Sequence, residues 1–509
     1  MDQPFRFQTD PSAYTILLMT TLPSCSFLSA LTTFTGDGAN YTLVRKANPG
    51  QGLSTRKGDV ILVPKRLLTA AFGGGLEEEN APKTAAEVRK PSDDATQRAA
   101  ADENVPEATA TTLLGQSSLT PALTYDRTSA EPHAVYRLQK GEALYSSVAI
   151  RFTGRVYAKD VGDVLDRITK FNEIEDVARL PVGYRVKIPM DLLLPEYLPQ
   201  DDPARVAREA TKRESAKVAR RTRAAGLAGV HVVLDAGHGG NDPGTAHDDL
   251  WESTYVYDVA CRVRRLLEKE SGAKVSMTTK SKKNGFTVVE KNVLPDASDH
   301  YVQTTPKFLL DDAIVGVNLR WYLANSIFRR AMKSGVPREK VVFLSIHADS
   351  LHPSLRGGMA YIPGASFVTG SYRKKGEVYL ARAEVREQPS VTHSQEDALR
   401  AEGLSRDFAE SVIESFRRNG LAVHPFEPVR DNVIRQRKEW VPAVIRNNQI
   451  PTRALLEVCN LGNEKDRQLL KTKKYRQQLA QAIYEGIVEF YAAPHAEPAR
   501  PAVVASGAK

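Results

Sequence analysis

The sequence has little cysteine and no long apolar run. Only three of its 509 residues are cysteines, Cys25, Cys261 and Cys459, and they match no disulfide framework. This excludes a disulfide-stapled scaffold but leaves the redox compartment undecided. No stretch of about 18 uninterrupted apolar residues occurs, so we predict no transmembrane helix.

The N-terminal region lacks the positive charge that a signal peptide needs. Residues 14–34 are fairly apolar, but the only basic residue before them is Arg6, against Asp2 and Asp10. The tetrapeptide that ends at Cys25 resembles a lipoprotein cleavage box only loosely. No export signal is therefore visible.

Basic residues are in excess. The chain has 70 Lys and Arg against 61 Asp and Glu, a formal net charge of +9. A basic surface favours an anionic partner such as a wall polymer, an anionic lipid or a nucleic acid. No DNA- or RNA-binding signature accompanies the charge, so we expect no nucleic-acid partner. The length of 509 residues predicts two to four domains.

One stretch combines a buried type of strand with a glycine-rich turn. In HVVLDAGHGG, which starts at His231, an apolar β-branched run ends at Asp235 and the glycines present His238. The carboxyl end of a strand is where an open α/β sheet keeps its chemistry. A lone histidine in a glycine turn is also commonly structural, so this stretch alone does not define a site.

Three later stretches add further chemical side chains. Glu252 lies in the first turn of a predicted helix, where the helix dipole also favours a carboxylate. Apolar strands at 341–346 and 453–456 deliver His347 and Glu457 at their ends. Two histidines and a carboxylate are the ligand set of a catalytic zinc site with one position open for water. A further carboxylate can serve as the general base.

These four stretches resemble the signatures of a known family. In order, DAGHGGNDPG, WES, SIHADS and LLEVCNLGN are similar to the motifs of the zinc-dependent N-acetylmuramoyl-L-alanine amidases, the cell-wall hydrolases called amidase type 3. The resemblance spans about residues 230–492. It implies that His238, Glu252 and His347 hold one zinc ion (Zn2+) and that Glu457 is the catalytic carboxylate.

Further residues are weaker candidates for the same site. Ala236 stands where the family usually has proline and Cys459 where it has a small residue, and neither change removes a ligand. Asp235 and Asp349 either orient the imidazoles or form turns. Arg320 falls where the family has an arginine helix, so it is a candidate for a supporting or substrate-binding role.

A second resemblance lies N-terminal to these motifs. Residues 134–190 open with YRLQKGEALY and close with VGYRVKIP, which resembles LysM, a small peptidoglycan-binding βααβ module. The resemblance implies a glycan-binding groove near Gly141, Glu142 and Leu144, and a generic small βα domain is the alternative. Residues 36–66 resemble half of such a module, or else form an unrelated β element.

The catalytic region alternates strand and helix patterns. This predicts an α/β fold with a mainly parallel or mixed sheet and helices on both faces, preceded by small LysM-like βααβ modules. Strands are predicted at 231–235, 274–279, 341–346, 358–362 and 453–458, and helices at 252–270, 317–333, 402–419 and 472–491. The predicted regions are 1–68 (degenerate LysM-like or small β), 69–133 (flexible linker), 134–198 (LysM-like), 199–228 (basic helical linker), 229–493 (zinc amidase) and 494–509 (disordered tail).

The function implied is peptidoglycan hydrolysis. By the resemblance, zinc-activated water cleaves the amide between N-acetylmuramic acid and L-alanine, and Glu457 handles the proton. The alternatives are a zinc peptidase that acts on the stem peptide and an inactive peptidoglycan-binding scaffold. We expect a periplasmic or extracellular location and peptidoglycan as the partner, and an activator protein is a candidate second partner.

A polar insertion at 364–401 is a candidate lid. Long elaborations near an active site often cover it. The insertion contains a short helix start in which Glu396 or Asp397 could reach a zinc position. The alternative is a solvated surface loop.

Overall fold

The computed structural model describes residues 123–218, 224–247 and 250–492, and the backbone of five short strands nearer the N-terminus. Those strands are β1 (Arg6–Phe7), β2 (Ile16–Leu17), β3 (Cys25–Ser26), β4 (Ser54–Thr55) and β5 (Val60–Ile61). They pair in the orders β1-β2-β5 and β3-β4. Apart from β4 and β5, the module predicted at 36–66 lies outside the described residues, as do most of the linker predicted at 69–133 and the tail predicted at 494–509. All other described residues belong to the second of two compact units, Ala122–Lys509.

The first part of this unit is a βααβ module. Its antiparallel sheet contains β6 (Thr124–Asp126), β7 (His133–Arg137) and β8 (Arg185–Pro189), in that order. Between β7 and β8 come a π-helical stretch (Leu144–Ile150), α1 (Arg151–Thr153) and α2 (Ala158–Phe171). The predicted βααβ order is present, but β6 extends the module into residues that the sequence analysis gave to the linker.

The module packs against the catalytic domain. Gly154 ends α1 in the left-handed region, at φ 66°. A Cβ there would lie 2.8 Å from the Leu194 side chain and 3.1 Å from that of Ile434, which belongs to the catalytic domain. Glycine at this position therefore allows a close approach of the two parts.

The segment after the module forms a packed helix. Helix α3 (Pro203–Ala216) starts at Asp202, whose side chain accepts a hydrogen bond from the Ala204 N–H. Arg208 of α3 pairs with the buried Asp431 of the catalytic domain. The predicted helix is present, but its role as a solvated linker is wrong, because this buried ion pair ties it to the folded unit.

Six strands form the central sheet of the catalytic domain. In spatial order they are β12 (Lys274–Met277), β9 (His231–Ala236), β15 (Val341–His347), β22 (Thr452–Glu457), β16 (Met359–Tyr361) and β19 (Val429–Arg430). The first four are parallel, β16 runs antiparallel to β22, and β19 runs parallel to β16. This confirms the predicted mixed sheet.

Alternate residues of the strands face two separate cores, as the two-residue period of a strand requires. Val233 and Phe343 join the core that contains α5 (Ala313–Lys333) and the module's apolar residues. Leu234 and Leu344 join the opposite core, with α4 (Glu252–Glu270), α9 (Gln395–Arg418) and α12 (Lys473–Ala492). Because both faces are covered, the inner strands β9, β15 and β22 are buried along nearly their whole length and consist mostly of apolar residues.

The remaining elements connect these layers. They are β10 (Ala246–His247), β11 (Leu250–Trp251), β13 (Thr279–Ser281), β14 (His300–Val302), α6 (Ala365–Val368), β17 (Gly370–Arg373), α7 (Glu377–Leu380), α8 (Ala383–Glu387), β18 (Ser390–His393), β20 (Val433–Arg435), β21 (Lys438–Trp440), α10 (Ala443–Arg446) and α11 (Glu464–Lys471). The short 3₁₀ turns are Val177–Arg179, Met190–Leu192, Pro195–Tyr197, Ala225–Leu227 and Arg338–Lys340. Among the described helices, none is long and apolar enough to cross a membrane.

The insertion at 364–401 does not place a carboxylate at the metal. It follows β16, whose antiparallel direction takes the chain away from the edge that bears His347. Ser394 caps the helix by accepting a hydrogen bond from the Asp397 N–H, and the Asp397 carboxylate pairs with Arg338 at 3.3 Å. Arg338 precedes β15, whose seven residues put His347 roughly 20 Å away. The prediction that Glu396 or Asp397 reaches a zinc position is therefore wrong.

Candidate metal centre and active site

The carboxyl ends of three parallel strands meet at one edge of the sheet. In the register of β15 with its neighbours, Ile346 pairs with Ala236 of β9, and His347 pairs with Glu457 of β22. His238 follows β9 by two residues, so it reaches the same edge. The sequence analysis predicted this grouping from the strand ends, and the structure brings these residues together.

Glu252 lies between the two histidines. This buried residue opens α4, and its Oε1 is 3.3 Å from His238 Nε2 and 3.2 Å from His347 Nδ1. The same oxygen accepts from the Ala348 N–H at 3.0 Å, and Oε2 accepts from the Thr245 N–H at 2.9 Å. One potential ligand atom from each of the three side chains lies within 4.8 Å of the others.

A carboxylate that the sequence analysis missed orients His238. The Nδ1 of His238 donates to Asp242 Oδ2 at 2.8 Å, which leaves Nε2 facing Glu252. Asp242 Oδ1 accepts from the Gly244 N–H at 3.1 Å, so the carboxylate is itself fixed. Such a partner on the far ring nitrogen sets the tautomer of a metal-binding imidazole. Its signal in the sequence is an aspartate four residues after His238, in the Asn-Asp-Pro-Gly turn.

Two glycines make room for the ligands. A Cβ at Gly237 would lie 2.4 Å from Cε1 of the His347 ring. At Gly244, where φ is +70°, a Cβ would lie 2.5 Å from Glu252 Oε2 and 2.7 Å from His238 Cδ2. Distances this short exclude a side chain, so the turn requires glycine at both positions.

Asp235 and Arg320 hold the glycine-rich turn that carries His238. Asp235 accepts from Ser345 Oγ at 2.6 Å and from Thr278, and Arg320 Nη1 lies 3.7 Å from it. Arg320 also donates to the backbone carbonyl of His238. Within the described residues Asp235 hydrogen-bonds no imidazole, so the prediction that it orients one is wrong. The buried Arg320 holds the metal-binding turn through its backbone.

Asp349 also lacks a contact with an imidazole. Its Oδ2 accepts from the Tyr157 hydroxyl at 2.9 Å and its Oδ1 from the Ser350 N–H at 2.8 Å. Among the described residues it hydrogen-bonds no histidine, so its predicted role in orienting one is wrong. Its carboxylate instead joins the catalytic edge to the βααβ module.

Glu457 has the environment of a proton-transfer group. It is 6% exposed, and its Oε2 has no hydrogen-bond partner among the residues that the structure describes. Burial, together with the carboxylates of Asp349 and Glu252, raises the pKa of Glu457 well above its ordinary value. A raised pKa brings a carboxyl group closer to neutrality, where general acid–base catalysis is most effective.

Charges between the three ligand residues are complementary. Burial alone would lower the pKa of His238, but the carboxylates of Glu252 and Asp242 raise it to about 10. Burial alone would raise the pKa of Glu252, but the imidazoles of His238 and His347 hold it below its usual value. The site therefore keeps Glu252 ionised.

The donor set fits zinc. Two imidazoles and one carboxylate suit a borderline cation such as Zn2+, and three protein ligands leave a position for water. The side chains of His238 and His347 are 27% and 15% exposed, so solvent reaches this edge. His238 Nε2, His347 Nδ1 and Glu252 Oε1 are the atoms that converge.

The predicted glycan-contacting residues have structural roles. Gly141 forms the turn after β7, at φ 84°. The Glu142 carboxylate accepts from the Tyr136 hydroxyl at 2.8 Å and from the Gln139 N–H at 2.8 Å. Leu144 is 2% exposed in the module's core. The side chains of Glu142 and Leu144 therefore support the fold of the module, and a glycan-binding groove near these residues stays a prediction.

Fold and site together define an α/β domain with a candidate metal centre of two histidines and one glutamate. A family model described as N-acetylmuramoyl-L-alanine amidase matches residues 232–489. The chain belongs to this family of peptidoglycan hydrolases.

Known relatives carry the same description. The germination-specific N-acetylmuramoyl-L-alanine amidase of Bacillus subtilis is 24% identical over 265 residues, which cover 52% of this chain and 81% of the relative. The probable amidase AmiB of Haemophilus influenzae is 23% identical over 272 residues, 52% of each chain. Among solved structures, the amidase Ami1 of Mycobacterium smegmatis is 22% identical with a TM-score of 0.33, covering 52% of this chain and 98% of that one.

Proposed function

We propose that this chain hydrolyses the amide between N-acetylmuramic acid and L-alanine with one zinc ion held by His238, Glu252 and His347. Glu457 acts as general base and then as general acid. The observation that carries the proposal is three ligand atoms within 4.8 Å of one another, next to a buried glutamate oxygen that has no partner. Membership of the amidase family supports the choice of bond.

Zinc, when bound, supplies a Lewis acid and a bound water whose pKa falls to about 7. The chain's own residues define where that chemistry happens. Asp242 fixes the His238 ring through Nδ1, and the Ala348 N–H holds Glu252 Oε1 in line with both imidazoles. Preorganised ligands avoid the cost of reorienting groups during the reaction.

Glu457 moves the proton. Its unpartnered Oε2 is free to accept a proton from the attacking water and to pass it to the leaving L-alanine nitrogen. Because burial and nearby carboxylates raise its pKa, the protonated form is more accessible than for an exposed glutamate. Both halves of this transfer are needed to break an amide, since an amide nitrogen leaves only after protonation.

The test is product analysis on purified peptidoglycan. The zinc-loaded protein should release intact stem peptides with free L-alanine N-termini, identified by mass spectrometry of the soluble fraction. Shortened peptides would favour the zinc peptidase, and no release beyond that of a Glu457→Gln control would favour the inactive scaffold.

We also propose that the protein works in the cell envelope and that the βααβ module contributes to wall binding. The module's order of elements supports a LysM-like role. Full-length protein carrying Glu457→Gln should sediment with insoluble peptidoglycan without digesting it, and protein left in the supernatant would remove this role. An activator protein remains a prediction.

A further inference from the structure

Residues 154–160 of the module, which are the loop after α1 and the first turn of α2 and are called the loop below, lie against the catalytic domain near the metal edge. Three groups of the catalytic domain bind it through hydrogen bonds. These are His352 N–H to the Val156 carbonyl at 2.7 Å, Arg430 Nη1 to the Gly154 carbonyl at 2.9 Å, and Gln436 N–H to both Asp160 oxygens at 3.1 Å. The loop is therefore held at several points along its length.

Tyr157 is the residue of this loop that reaches the active site. Its hydroxyl donates to Asp349 Oδ2 at 2.9 Å, and the Arg435 guanidinium lies over its ring at 4.6 Å from the centroid. Burial is the main cause that raises the pKa of Tyr157 above its ordinary value, and the nearby Tyr361, Asp349 and Glu457 raise it further. The hydroxyl therefore stays protonated and remains a hydrogen-bond donor.

Asp349 is coupled to the proposed base through the backbone. The Val458 N–H donates to the His347 carbonyl at 2.8 Å, and the Leu461 N–H donates to the Asp349 carbonyl at 2.7 Å. These bonds extend the pairing of His347 with Glu457 and tie the segment that carries Asp349 to the end of the strand that carries Glu457. A change in the position of Asp349 will therefore change the position of Glu457.

The module does not cover the metal ligands. With Tyr157 bonded to Asp349, the side chains of His238 and His347 remain 27% and 15% exposed. A blocking residue would bury these imidazoles. The contact between Tyr157 and Asp349 therefore fixes Asp349 and leaves the two imidazoles accessible to solvent.

We propose that Tyr157 is a positioning residue of the active site, which holds Asp349 beside Glu457 and makes the βααβ module part of the catalytic unit. This inference rests on the proposed function. Tyr157 lies outside the segment 232–489 that the amidase family model matches, so the family's own domain does not supply it.

The test is Tyr157→Phe in the full-length protein, assayed on a soluble muramoyl-peptide fragment. We expect kcat to fall roughly ten- to a hundredfold, the ratio expected for a lost hydrogen bond to a carboxylate. Because substrate binding is not the step affected, KM should stay within about twofold. Zinc content and sedimentation with peptidoglycan should not change.

Tyr145→Phe is the matched control. Tyr145 belongs to the same module and stacks on His352 with 5.5 Å between ring centroids, a contact that phenylalanine keeps. Its kcat should equal that of the wild type. Asp349→Asn and the double variant with Tyr157→Phe should have the same kcat, because the two residues act through one contact.

Several results would overturn the inference. An unchanged or increased kcat in Tyr157→Phe would do so, and an increase would indicate a blocking role. If Tyr157→Phe lowers the unfolding temperature, its loss of kcat could come from destabilisation, and the kcat values of Asp349→Asn and of the double variant are then compared. A lower kcat in the double variant than in Asp349→Asn counts against a positioning role. A wild-type protein that releases no stem peptide would overturn the proposed function itself, whereas an active wild type with an unaffected Tyr157→Phe overturns this inference alone.

Discussion

Two buried carboxylates, Glu142 of the βααβ module and Glu457 of the metal-binding edge, differ in their hydrogen bonding. In the module, Glu142 accepts two hydrogen bonds and lies 3.6 Å from Arg151. At the metal edge, Glu457 keeps one buried oxygen without a partner. Leaving such a group unpaired costs about 1–3 kcal/mol of stability, and the proposed proton transfer gives the unpaired oxygen of Glu457 a use.

The same contrast extends to other polar atoms. Across the described residues, buried side-chain nitrogen and oxygen atoms without a hydrogen-bond partner lie between His231 and Tyr475, and none lies in the module at 123–198. The buried polar side-chain atoms of the module all have partners, within the module or across its contact with the catalytic domain, while the catalytic domain keeps unused hydrogen-bonding capacity. Substitutions inside the module, away from the Tyr157 contact, should therefore change stability, and substitutions at the metal edge should change metal binding or turnover.

The largest effect should come from removing a ligand. His238→Ala or His347→Ala leaves two of the three donors, so zinc should be lost and hydrolysis should fall to the level of the buffer. Elemental analysis of the purified variants and muropeptide release measure the two effects. Full zinc occupancy in either variant would show that the ligand set is wrong.

Glu457→Gln should separate turnover from metal binding. We expect zinc to be retained and kcat to fall roughly 10²- to 10⁴-fold, the usual contribution of general acid–base catalysis. A base must be ionised, so activity should be lost as the pH falls through its pKa. Because that pKa is raised, the loss should begin at a higher pH than for an ordinary glutamate. A near-normal rate in this variant would refute the assignment of the base.

Asp242→Asn should weaken metal binding without abolishing it. The amide still reaches His238 Nδ1 but no longer carries the charge that fixes the tautomer, so zinc affinity should drop roughly 10- to 100-fold. Competition with a chromophoric chelator measures this affinity. Asp191→Asn, at an exposed ion pair of the module, is the control and should leave zinc affinity unchanged.

The smallest effect should come from the module. Glu142→Gln replaces an acceptor by a donor facing Tyr136 or Gln139, and should lower the free energy of unfolding by about 1–3 kcal/mol. Urea denaturation followed by circular dichroism measures this change. Zinc content should remain that of the wild type, and a loss of zinc here would contradict the division between the two regions.

Much of the catalytic domain could be predicted because its signals are local. Strand ends at His347 and Glu457 follow from short apolar runs, and the helix predicted at 252–270 has the same bounds as α4. Parallel strands then bring their carboxyl ends to one edge. The ligand assignment itself depended on the family resemblance, since histidine, glutamate and glycine in loops have several structural uses.

Other features depend on long-range contacts that no local pattern encodes. The antiparallel direction of β16, which carries the insertion away from the metal, is set by pairing with β22. Tyr157 meets Asp349 across 192 positions of sequence, and Arg208 meets Asp431 across 223. Asp242 is different, because it lies only four residues after His238, and this short spacing already predicts a contact between the two side chains.

Gly237 shows how little the metal-binding turn can be altered. The space that its missing side chain leaves is occupied by the ring of His347, so even a methyl group would displace a ligand supplied by another strand. A mutagenesis library across this turn should therefore return glycine at this position as regularly as it returns the histidines. In an alignment of active members, an alanine here would be as informative as the loss of a ligand.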